Sequence, residues 1–201
     1  TYSVLRLLSG AVGFFHHGGT HLRISNILSP GGFASPLNGE LNPEGYALWT
    51  LGQVLPRPET SRLHVNVTPP DECEYPLPPL YWTGALHNDG AASIMVVRNV
   101  SSVAPHAVQI TASLPWSGPT QVAVRHGGCP QSALDELGLA GDETLAAETA
   151  TEVIELAEND GEEGGLFRRV FEFRDVLFVR LNRRGATFPE PEPYPSEGKD
   201  K

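Results

Sequence analysis

Basic residues are scarce in this chain. Lys and Arg number 14 of 201 residues against 24 Asp and Glu, a formal net charge of −10 at pH 7. No basic run exceeds two residues, as in the dipeptide Arg183-Arg184. A surface that binds a polyanion draws its affinity from clustered cations that displace counterions, so no nucleic-acid partner is expected. Long apolar runs are missing too. None approaches the roughly 20 residues that span a bilayer, and no stretch has the basic start, apolar core and small-residue cleavage site of a leader. No membrane partner is expected. Cysteine is limited to Cys73 and Cys129, which either pair or remain as two thiols; the sequence leaves both open. There is no Gly-rich phosphate loop, no CxxC pair and no nucleophile elbow. Acidic residues, though abundant overall, are absent before Glu40.

Turn formers are plentiful, with Gly 21 and Pro 18. Hydrophobic residues at 40% and charged residues at 19% describe a globular chain, and the Gly and Pro content favours many short strands. Residues 1–9 group Val4, Leu5, Leu7 and Leu8 as the end of a helix, stopped by Ser9-Gly10. "AVGFF" reads as a short buried strand. Asn42, Pro43 and Glu44 make an N-terminal helix signature. Tyr46, Leu48, Trp49, Leu51, Val54 and Leu55 then form one broad apolar face, ended by Pro56.

Beyond Pro56 the period changes to alternation. "RLHVNV" turns Leu63, Val65 and Val67 to one side and His64 and Asn66 to the other. "YWTGAL", "ASIMVVRNV", "HAVQITASL", "TQVAVRH", "TEVIELA", "LFRRVFEF" and "DVLFVRL" follow, separated by turn residues. These roughly eight short strands predict an antiparallel β-sandwich or barrel. Ser132–Leu137 reads as a single helical turn and residues 157–165 as an exposed hairpin loop. "FPEPEPYPSEGKDK" alternates Pro with acids, as a linker or tail does. The expected organisation is a terminal helix-strand-helix over residues 1–57, a β-sandwich over 58–185 and a tail over 186–201. A single strand with two helices cannot bury both of its faces. Residues 1–57 are therefore expected to be the last α/β elements of an incomplete TIM-type barrel, with Thr1 inside a longer protein. The overall class is mainly β.

Several stretches carry a resemblance to the C-terminal end of the clan-A glycoside hydrolases, in which a β/α barrel runs directly into a sandwich packed on its side. Within that clan the chain is most similar to the α-L-iduronidase and β-xylosidase family. "TYSVLRLLSGAV" resembles the penultimate barrel helix, "NILSPGGF" the loop after the last barrel strand, and "PEGYALWTLGQVL" the last barrel helix. "VAVRHGGCPQSALDELG" and "LFRRVFEFRDVLFVRL" resemble segments of the sandwich. The heparanase and β-glucuronidase type shares this layout and fits "GFFHHGG" equally well. The resemblance implies a retaining glycosidase that uses two carboxyl groups roughly 5–5.5 Å apart, both upstream of Thr1. On this reading the chain holds no catalytic residue and cleaves nothing alone. One departure stands out: Ser29-Pro30-Gly31-Gly32 occupies the place where the family is expected to carry an Asp, so recognition of iduronate is not carried over.

The barrel-end reading puts His16, His17, His21 and Arg23 at the mouth of the last strand, where side chains commonly contact substrate. An imidazole donates to a sugar hydroxyl, and Arg23 could hold a uronate carboxylate by two parallel bonds. The bland alternative is loop histidines bonded to backbone and a surface arginine. His17 and His21 have the spacing of one helical face, but Gly18-Gly19 opposes a helix and no further ligand is apparent, so no metal or other cofactor is expected. Asp135, Glu136, Asp142 and Glu143 lack EF-hand spacing and read as a solvated acidic face. Trp49 is expected in the core. Trp116, in the turn "LPWSGP", is the better candidate for contact with a ligand or domain, with packing as its alternative. Trp82 is a third aromatic that could stack on a sugar. The expected partners are a carbohydrate, of glycosaminoglycan or xylan type, and the rest of the barrel. The competing reading is a non-catalytic β-sandwich module that binds carbohydrate or protein. Two sequons, at Asn66 and Asn99, point to a secreted or lysosomal setting, although Pro69 weakens the first.

Overall fold

A computed structural model describes residues 49–54, 60–70, 79–98, 105–126, 149–158, 164–174 and 176–183. The expected helix over 1–9, the strand "AVGFF", the Ser132–Leu137 turn and the tail lie outside the described residues, as do Cys73 and Cys129. Of residues 1–57, expected to end a barrel, only 49–54 are described.

The described chain is mainly β. Nine strands form one antiparallel sheet: β1 (Thr60–Arg62), β2 (Val65–Thr68), β3 (Leu80–His87), β4 (Ala91–Arg98), β5 (His106–Leu114), β6 (Gly118–His126), β7 (Thr149–Glu158), β8 (Gly165–Phe173) and β9 (Val176–Asn182). Their order across the sheet is β1-β3-β4-β9-β6-β7-β8-β5-β2. Among the described residues the one helical element is the turn at residues 49–52. It closes with Gln53 N–H donating to Thr50 O and Val54 N–H to Leu51 O, both at 3.0 Å. These i to i−3 bonds are the usual tightening of a last turn, and they fall just before Pro56 in the sequence.

"RLHVNV" is two strands rather than one. The break falls at Leu63-His64, and the two pieces go to opposite edges: β1 pairs with β3, β2 with β5. Arg62 and Val65 are three Cα steps apart, which limits their separation to about 11 Å. Opposite edges of a nine-stranded sheet can come that close only if the sheet curls back on itself. The alternation survives the break: Leu63, Val65 and Val67 are buried, and His64 and Asn66 are exposed. Gly84 makes room for the crossing. Leu63 N–H donates to Gly84 O at 3.0 Å, and a Cβ at Gly84 would lie 2.6 Å from Val65 Cγ2, well inside van der Waals contact.

The curl brings two portions of the sheet over a common core. Ile94, Val96, Val122, Leu177, Val179 and Leu181 come from the larger portion, β1-β3-β4-β9-β6-β7. Val108, Ile110, Phe167, Phe171 and Phe173 come from the smaller, β8-β5-β2. The portions join weakly. β8 pairs with β5 along its whole length from Gly165 to Phe173, yet meets β7 only through Ala157↔Leu166 and Glu158↔Gly165. Glu158 and Gly165, expected in the loop, thus belong to β7 and β8, because the ladder closes further out than the turn residues suggest. The tight start of β8 requires glycine. Cβ atoms added at Gly164 and Gly165 would meet Leu114 O at 2.1 Å and Trp116 O at 2.5 Å, and Gly164 has φ +127°.

Candidate functional site

β4 is the strand on which the site is built. All eight of its residues are buried, as its nearly continuous apolar sequence "AASIMVVR" demands. Ala92, Ile94 and Val96 face the common core. Met95 and Val97 face the other way, into a second apolar cluster with Ala123 of β6 and with Val176 and Phe178 of β9. Leu51 and Val54, each 1% exposed, complete that cluster from the helical turn, and Trp49 packs partly against it. Burying each of these aliphatic side chains contributes about 1.5–3 kcal/mol relative to leaving it in water. The described part of the apolar face read from the sequence as that of a helix, Leu51 and Val54 with Trp49, thus packs on the back of the three central strands, and Trp49 is a packing residue as expected.

Along the same face, toward the β3–β4 turn, the layer becomes polar. His87 Nε2 lies 2.9 Å from Ser93 Oγ. Asp89 Oδ1 accepts from Ala91 N–H at 3.0 Å and so fixes the turn. The other carboxylate oxygen of Asp89 is 3.5 Å from Arg180 Nη2. Burial pushes the Arg180 guanidinium below its usual pKa, and the Asp89 charge opposes that shift. Oε1 of Gln121 and Nε of Arg180 are buried without a hydrogen-bond partner. Asn88, Asp89, Gly90 and Arg183 line an open depression beside this group.

The arrangement offers packing and hydrogen bonding rather than acid–base chemistry. The carboxylates among the described residues are Asp89, Glu152, Glu155, Glu158 and Glu172, and all are exposed. Among the described residues no group of three or more His, Cys, Asp or Glu could hold a metal ion, and no helix is long and apolar enough to cross a membrane.

His16, His17, His21 and Arg23, the residues expected at a barrel mouth, lie outside the described residues, as do Asp135, Glu136, Asp142, Glu143 and Asn99. Asn66 is exposed on the edge strand β2. The tryptophans divide clearly. Trp116 is 4% exposed and donates through Nε1 to Thr120 Oγ1 at 3.1 Å. That hydroxyl donates in turn to Gly118 O at 3.2 Å, so the indole secures the β5–β6 turn and is not open to a ligand. Trp82 is the exposed one, at 42%, with Nε1 donating to Val65 O at 3.0 Å. The polar group around Arg180 was missed, because its members come from the β3–β4 hairpin, β6 and β9, which lie far apart in sequence. Neither a protein-family model nor a curated protein matches the chain.

Proposed function

We propose that the chain is the C-terminal part of a retaining glycosidase of the α-L-iduronidase and β-xylosidase type, its strands forming a β-sandwich that braces the catalytic barrel. In this reading residues 49–54 end the last barrel helix. Their seat against Met95, Val97, Ala123, Val176 and Phe178 is where barrel and sandwich lock together. That buried apolar layer is the observation that carries the reading. A bracing domain is expected to bury the back of its central strands under the end of the helix it supports. The substrate is a carbohydrate of glycosaminoglycan or xylan type, the setting secreted or lysosomal, and His16, His17, His21 and Arg23 are its contacts in this chain. The catalytic carboxylates belong to the preceding barrel strands, in accord with the exposed position of every described acid.

The second reading, a non-catalytic sandwich that binds carbohydrate or protein, draws support from the exposed ring of Trp82. One experiment separates the two. The sequence preceding Thr1 in the gene is read, and the encoded protein is assayed on aryl glycosides beside the 201-residue chain. The glycosidase reading requires upstream strands ending in Asn-Glu and then in Glu, hydrolysis by the longer protein, and none by the shorter. An upstream sequence without an acidic pair overturns it. Glycan binding by residues 60–185 that is lost on Trp82→Ala would then establish the module.

A further inference from the structure

β7 has a long unpaired stretch along one of its edges. It pairs with β6 from Thr149 to Leu156, while on its other side it meets β8 only at Ala157 and Glu158. Among the described residues nothing pairs with that second edge over 149–156, a length of about 27 Å at the usual strand rise. Residues 150–153 and Glu155 are exposed and Ile154 is only half-buried. Val153 is 71% exposed, the most open large hydrophobic side chain among the described residues. β7 has no Pro, Gly or Lys, the residues that commonly blunt an edge. Two features of its side chains select what pairs there. Glu155 lies on the same face as Val153 and is exposed; Glu152 is held by Arg169 of β8 across the notch. Two copies of β7 pairing with each other would bring together chains that each carry −10, and that like charge opposes self-association.

We infer that the open edge of β7 accepts an extended basic segment of a partner protein by strand addition. Main-chain bonds to residues 149–156 supply affinity. A cation opposite Glu155 and a β-branched residue opposite Val153 supply register, since directly opposed residues share a face. In antiparallel pairing those two partner residues fall two apart, the basic one first.

The test uses the full 201-residue chain and a capped octapeptide, Lys-Thr-Val-Thr-Lys-Thr-Val-Thr, as probe. Amide hydrogen exchange is followed residue by residue with and without peptide. The inference predicts slower exchange at alternate amides of 149–156, by about tenfold at saturation, and none elsewhere. Val153→Lys, at an exposed position, should weaken binding about tenfold and leave the unfolding midpoint unchanged. Substituting Glu for the peptide's Lys, or Pro at its centre, should abolish protection. Protection at another strand, equal binding of the acidic peptide, or undiminished binding to Val153→Lys would each overturn it. So would a dimer of the free chain that Val153→Lys dissociates, since the edge would then belong to a second copy.

Discussion

The two portions of the curled sheet are buried differently. In the larger portion β4 is buried on both faces, and so, over most of its length, is β9. In the smaller portion β8 alternates: Phe167, Phe171 and Phe173 go inward, while Leu166, Arg168, Val170 and Glu172 stay exposed. The contrast teaches that this molecule has one layer more than a two-faced strand set requires. The extra layer consists, among the described residues, of Leu51 and Val54 over Met95, Val97, Ala123, Val176 and Phe178. The smaller portion, by contrast, is a one-sided sheet with a solvated back.

That contrast can be broken or sharpened by substitution. The largest effect is expected at the joint between the portions. Gly165→Ala places a methyl 2.5 Å from Trp116 O, a backbone atom that cannot rotate away; a loss of about 3 kcal/mol or more is expected, seen as a fall in the urea midpoint or as failure to fold. Phe178→Ala comes next. It opens a cavity behind the central strands and should cost about 3–5 kcal/mol by urea titration, while a value under about 1 kcal/mol would mean that the back of β9 is not a packed layer. Asp89→Asn keeps the turn acceptor and removes the counter-charge of Arg180. Because Asp89 is 61% exposed, a destabilisation of only about 0.5 kcal/mol is expected, shrinking further in high salt. The sign follows from linkage. The pKa of Arg180 is lowered in the folded state, so its desolvation cost is constant at all pH values below that pKa, and stability rises only as alkaline pH passes through it. The effect of Asp89→Asn should therefore be flat between about pH 6 and 9. Smallest of all is Val170→Thr, on the solvated back of β8, which should stay within about 0.5 kcal/mol of the parent.

The smaller portion was the easier to read. "LFRRVFEF" carries its burial pattern in its alternation, and β8 follows it nearly residue by residue. β4 was legible as a strand but not as one buried on both sides, because a short apolar run does not say what covers it. The helical face at Trp49, Leu51 and Val54 and the back of β4 were each visible in sequence. That they meet depends on the order in which the strands pair, which no local pattern encodes. The same reason hid the split of "RLHVNV", where pairing partners rather than propensity decide which edge each half joins. Trp116 was read as a contact candidate because turn aromatics often are. A threonine four residues on satisfies its indole instead. The expected binding residues His16, His17, His21 and Arg23 rest on the glycosidase resemblance, and their test is the hydrolase assay on the longer protein.

The central claim is that residues 49–54 and the back of the sheet form one packed layer, and a double-mutant cycle tests it most directly. Leu51→Ala, Phe178→Ala and the pair are measured by urea unfolding of the 201-residue chain. Members of one packed cluster should show a coupling of about 0.5–3 kcal/mol. Additivity within about 0.3 kcal/mol would mean that the two side chains do not share a layer, and the bracing account would fall with it.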